Sequence, residues 1–170
     1  MTELVSVGVA ELKVSNDSDI LASFGLGSCV AVAMFDPVKK VGGLAHVMLP
    51  ESRGKESPTV PGKFADTAVP NLAARLIELG ARPKNLQCKI VGGSQMFEIP
   101  GSRNKSAGLA CGPSAHIGAR NVEAVKAVLR DMNIPLVGEE TGGNHGRTVK
   151  FDSSTGDIEV SSIHFGRNSI

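Results

Sequence analysis

The sequence predicts an α+β fold with a mixed or antiparallel sheet, formed as one domain over residues 1–170. Three observations predict it. Seven apolar runs have strand character against only two stretches with helical periodicity. Strands and helices do not alternate regularly, so repeated βαβ units are not expected. The 20 glycines cluster between the apolar runs, as many tight turns require. With hydrophobic residues at 41% and charged ones at 21%, a packed core forms without disulfides or metal. Because there are six Phe and no Trp or Tyr, that core is built from Val, Leu, Ile, Ala and Met.

In chain order, strands are expected over 4–14 ("LVSVGVAELKV"), 19–24 ("DILASF"), 29–35 ("CVAVAMF") and 41–49 ("VGGLAHVML"). A long surface loop over 50–64 follows. In "NLAARLIELG" (71–80), Leu72, Leu76 and Leu79 share one helical face and Gly80 suits the C-terminal cap. Pro70 lies before that helix or in its first turn. "LQCKIVG" (86–92) reads as a strand, and 98–116 as a second long loop. In "NVEAVKAVLRDMN" (121–133), Val122, Val125, Val128, Leu129 and Met132 form a stripe, with Asn121 as the expected N-cap. The alternating runs 147–152 and 157–163 flank "SSTG" and predict a half-exposed hairpin.

Charge and composition exclude several classes. A net charge of +1 and scattered basic residues give no footprint for nucleic acid or an anionic membrane. The start "MTELVSVGVAEL" has no basic segment followed by a long apolar core, and no apolar run is long enough to span a bilayer. Three widely spaced cysteines suggest a reducing compartment. The expectation is a cytoplasmic protein without membrane insertion.

The stretch "FGLGSCVAVAMFDPVKKVGGLAHVMLP" (24–50) carries the chemistry. Asp36-Pro37 is a type I turn signature, and a turn centred on Pro37-Val38 places Cys29 opposite His46 on one sheet face. A bulge in that hairpin would shift the register by one. A neighbouring imidazolium lowers a thiol pKa and yields a nucleophilic thiolate. Gly25 and Gly27 allow a sharp turn exposing the sulfur, with backbone N–H groups near it for an oxyanion. Ser23 is the candidate orienting partner of the imidazole. Each residue alone reads more often as packing: cysteine as a small buried hydrophobe, histidine as a core residue bonded to a carbonyl. Their conjunction brings catalysis level with packing.

The remaining candidates point elsewhere. Cys88 reads as core and Cys111 as an incidental loop thiol. His145 and His164 lack paired ligand spacing of the zinc type, so no metal and no cofactor is expected. "GGNHGR" (142–147) lacks the spacing of a phosphate-binding loop and reads as a glycine-rich turn.

Taken together in order, "GLGSCVAV", "DP", "GGLAHVMLP", "ADTAVP", "VGGSQMF", "IGARNV" and "TGGNHGRTVKFD" resemble the chemoreceptor glutamine deamidase family CheD, over about residues 4–164. The resemblance implies a mixed β-sandwich flanked by helices, similar to the catalytic domains of cytotoxic necrotising toxins. It implies a cysteine-dependent protein-glutamine glutaminase that converts glutamines of methyl-accepting chemotaxis receptors to glutamate through a thioester. By motif, the family's nucleophile falls on Cys29, its histidine on His46 and its third catalytic position, often Thr, on Ser23. In many systems a CheC-type phosphatase of the response regulator is a further partner. The alternative is an adaptor that binds that phosphatase or the receptor, with catalysis secondary. The 98–116 segment is longer than the family pattern.

Overall fold

A computed structural model of the chain describes residues 2–96 and 116–170. It contains ten strands: β1 (Leu4–Ser6), β2 (Leu12–Ser15), β3 (Ile20–Leu26), β4 (Val30–Asp36), β5 (Val41–Val47), β6 (Gln87–Gly92), β7 (Leu136–Thr141), β8 (Arg147–Asp152), β9 (Ile158–Ser162) and β10 (Gly166–Ser169). Two helices accompany them, α1 (Ala65–Glu78) and α2 (Ile117–Asp131), with a 3-10 turn at Pro83–Asn85.

The strands form two five-stranded sheets, ordered β1-β3-β8-β9-β10 and β2-β5-β4-β6-β7. The β1–β3 and β6–β7 pairs are parallel and the rest antiparallel, which makes both sheets mixed. Alternation along β4 divides the core. Val30, Val32 and Met34 face helices α1 and α2, packing with Leu72, Leu76, Val125 and Leu129. Ala31, Ala33 and Phe35 face the other sheet, where Leu21, Val149, Phe151 and Ile158 meet them. The result is a layered α+β structure in which β4 and β5, buried along their whole length, are covered on both faces.

Local differences from expectation have local causes. The expected 4–14 strand breaks at Val7–Glu11, where the chain leaves one sheet and enters the other, with Ala10 at φ +67°. Helix α1 starts at Ala65, so Pro70 lies inside it rather than at its start. Helix α2 begins at Ile117 behind His116, and Asn121 is buried within it instead of capping it. The 50–64 loop is tied down: Ser52 donates its backbone N–H and hydroxyl to Asp66, and Gly62 N–H bonds Ala10 O. The hairpin at "SSTG" forms between β8 and β9. Apart from His116, the expected 98–116 loop and Cys111 lie outside the described residues.

Candidate active site

Cys29 sits immediately before β4, half-buried, at the end of the layer between the sheets. Its backbone is gripped from two sides. Gly93 N–H donates to the Cys29 carbonyl at 2.8 Å, and Asn121 Nδ2 donates to Ser28 O at 3.0 Å. Gly92, at φ +115°, comes so close that a Cβ there would lie 2.3 Å from the Cys29 carbonyl oxygen. Helix α2 presses onto the same support, since a Cβ on Gly118 would lie 2.4 Å from Ser94 O. The "VGG" and "IGARN" segments thus form a backbone cradle under the thiol, and only glycine permits those approaches. Among the described residues the N–H groups of Ser28 and Cys29 have no hydrogen-bond partner, leaving two adjacent donors beside the sulfur.

His46 lies in β5 and is 2% exposed. The crossing segment holds it three ways: His46 N–H bonds Glu11 O, Ala10 N–H bonds His46 O, and Nδ1 lies 3.3 Å from Val7 O. A carbonyl can only accept, so Nδ1 carries the proton and Nε2 keeps its lone pair. Ser23, fully buried in β3, donates its hydroxyl to the same Val7 oxygen at 2.9 Å. Ser23 and His46 therefore meet through a shared acceptor rather than bonding each other. The Val7 carbonyl is the element that sequence reasoning missed, because a main-chain oxygen has no residue-type signature.

The hairpin register differs from the expected one. Asp36 pairs with Val41 and Ala31 with His46, so Cys29 is not directly opposite His46. The reason is a four-residue loop, Pro37–Lys40, with Lys40 at φ +56° and the Asp36 carboxylate accepting the N–H groups of Val38 and Lys39. A shift of two preserves side-chain parity. Cys29 and Ala31 remain on the face that also carries Leu44 and His46. Continued one residue past Val30, this register puts Cys29 diagonal to His46, a separation that an aromatic side chain can span.

The electrostatics also depart from a preformed ion pair. Burial pushes the Cys29 thiol up. Burial pulls His46 down, and this outweighs the opposing pull of its bond to Val7 and of the Glu11 charge. Both shifts disfavour the charged forms, and no hydrogen bond joins the two groups among the described residues. Cys88 is fully buried against the helices. His145 stacks on Phe165 with ring centroids 4.5 Å apart. Together with His164 it lines a cavity next to Gly25. No group of three or more His, Cys, Asp or Glu among the described residues is arranged to hold a metal. No helix among them is long and apolar enough to cross a membrane.

The class defined so far is a mixed α+β sandwich presenting a half-buried thiol and a deeply buried imidazole on one face, at the mouth of its inter-sheet layer. Residues 48–162 match the family model described as CheD chemotactic sensory transduction. A chemoreceptor glutamine deamidase CheD of Thermotoga maritima is 46% identical over 160 residues, covering 94% of this chain and 92% of that protein. A relative in Desulfitobacterium hafniense named "Probable chemoreceptor glutamine deamidase CheD" is 41% identical over 170 residues, covering all of both chains. The chain belongs to the CheD family. The family match begins just past His46, whereas the Desulfitobacterium relative aligns across Ser23, Cys29 and His46 as well.

Proposed function

We propose that this protein hydrolyses glutamine side-chain amides on methyl-accepting chemoreceptors, with Cys29 as nucleophile and His46 as general base and acid. It rests on one observation: a buried imidazole, tethered through Nδ1, shares a face with a half-exposed thiol. The names of the relatives supply the substrate class.

His46 Nε2 takes the Cys29 proton as the sulfur attacks the carboxamide carbon. The unpaired N–H groups of Ser28 and Cys29 receive the oxyanion, and one such donor is typically worth about 3–4 kcal/mol of barrier. The imidazolium then protonates the departing nitrogen; ammonia leaves and a thioester remains. Water attacks the thioester, giving its proton to His46. The collapsing intermediate expels sulfur, which reclaims that proton as glutamate departs. Ser23 is a positioning residue: by sharing the Val7 oxygen it fixes the acceptor that orients His46. The protein acts in the cytoplasm as a single domain, and a CheC-type phosphatase is its further partner.

Mass spectrometry of a receptor cytoplasmic fragment tests this. Wild type is expected to add about one dalton per site as amide becomes acid, and Cys29→Ala to add none. Conversion by Cys29→Ala at the wild-type rate overturns the assignment.

A further inference from the structure

Next to the candidate nucleophile lies a cavity of about 620 Å³ that the reaction above does not use. Gly25 and Met96 line its near side, and Met96 Cγ also sits 3.0 Å from where a Cβ on Gly27 would be. Met96 therefore packs between the cavity and the turn that leads into Cys29.

The rest of the lining is polar or small, apart from Ile163, and its ionisable members are all His or Arg. His145, Arg147, His164 and Arg167 contribute, and no Asp or Glu among the described residues lines the cavity. Arg147 is only 4% exposed. One guanidinium nitrogen donates to Ser94 Oγ at 2.8 Å, and that hydroxyl donates in turn to His145 O at 2.7 Å, which fixes the group in place. Its Nε is buried and has no partner. A buried guanidinium donor without an acceptor is expensive, and charged groups are rarely left so. Glu140 attracts both Arg147 and His145, but it makes no ion pair with either among the described residues and does not line the cavity. The side chain of Arg167, on exposed strand β10, has no hydrogen-bond or ion-pair partner among the described residues. At the turn between β9 and β10, Ile163 and Phe165 are 98% and 69% exposed.

We propose that this cavity binds acidic side chains of the receptor segment that presents the glutamine. The proposal rests on the reading of Cys29 as nucleophile. A carboxylate suits the fixed guanidinium, while the Arg167 charge adds positive potential at the rim. Ile163 and Phe165 offer apolar contact to the other side of the same segment. An amphipathic, acidic helix is the partner with both properties.

Two labelled synthetic peptides test it, each carrying one glutamine and differing only in whether the neighbouring positions are glutamate or alanine. Fluorescence polarisation with Cys29→Ala is expected to give at least tenfold tighter binding of the acidic peptide, weakening as salt rises. The surface variant Arg167→Glu, checked for an unchanged melting curve, is expected to erase most of that preference. Equal affinity for both peptides, or a preference untouched by Arg167→Glu, overturns the site. Mass spectrometry with wild type separates this from the catalytic reading. Equal deamidation of both peptides, with equal KM, leaves the enzyme standing and the acidic site refuted. An acidic preference in binding, with neither peptide deamidated, supports the site while the catalytic reading falls.

Discussion

Gly92→Ala perturbs the cradle without touching either reacting side chain. A Cβ at 2.3 Å from the Cys29 carbonyl oxygen must open to at least the 3.0 Å floor, so that oxygen has to withdraw by about 0.7 Å. Withdrawal stretches the Gly93 N–H bond to the same oxygen, now 2.8 Å, and losing it costs about 1 kcal/mol. Holding alanine at φ +115° adds about 1–3 kcal/mol. The expected destabilisation is about 3 kcal/mol, a drop in Tm of roughly 9 °C for a chain of this size. A misplacement approaching 1 Å at a nucleophile costs about 10²-fold in rate, so deamidation assayed well below Tm is expected to fall by that order. Gly80→Ala is the control. Gly80 has φ +104° with nothing within 4 Å of its would-be Cβ, so it carries the backbone strain but not the clash. It is expected to lower Tm while leaving turnover intact. If Gly92→Ala retains turnover within twofold of Gly80→Ala, the reasoning that the glycine pair sets the position of the sulfur is wrong.

Other outcomes follow from the same coordinates. Iodoacetamide alkylation of Cys29, read by peptide mass spectrometry, is expected to keep rising with pH through pH 9 without levelling off, because burial raises the thiol; a rate plateau extending below pH 7 would reveal a resting thiolate. Asp36 is fully buried; burial pushes its carboxyl up, but bonds from Arg82, Lys39, Val38 and Asn85 outweigh that and hold it below the usual range. Its stabilisation is therefore complete above the unfolded value near 3.8 and is lost as pH falls through the folded one, so Asp36→Asn is expected to lower Tm at neutral pH and flatten the acid side of the stability profile. Asn121→Ala removes two hydrogen bonds, to Ser28 O and Met48 O, which brace the two ends of the hairpin mouth. A loss of about 2–3 kcal/mol is expected by thermal melting, together with reduced turnover.

Much of this was legible in the sequence because apolar alternation is strong where burial is complete. Strands β4 and β5 announce themselves for that reason, as do the hairpin at "SSTG" and the stripe of α2. Strand β10 did not: "GRNS" has no apolar residue, is exposed throughout, and exists through backbone pairing to β9. Strand β7, half-exposed and rich in glutamate, was hidden by the same weakness of pattern. Helix α2 starts without a side-chain cap, while Asn121, the residue that looked like one, is spent on two distant carbonyls. Register failed by two because the loop needs a left-handed lysine at position 40, a conformation no lysine advertises. The pairing of Cys29 with His46 on one face survived only because the error was even.

That even shift bears on how the site works. A directly opposed pair, packed at about 5 Å and drawn together by charge, favours a permanent thiolate–imidazolium. The diagonal arrangement, with burial opposing charge on both groups, disfavours such a resting ion pair. A neutral thiol is a poor target for stray electrophiles and oxidants, since the thiolate is the reactive form. A neutral, tethered imidazole is already the tautomer that accepts a proton at Nε2. The groups that hold the two residues in place are mostly backbone: Val7 O, Glu11 O, Gly93 N–H and the close approach of Gly92. Ser23 acts on the histidine through one of those carbonyls, so exchange among small hydroxyl residues at that position preserves the acceptor that matters. For the proposed reaction, the demand on sequence then concentrates in two side chains and a few glycines, with the rest supplied by the route of the main chain between the two sheets.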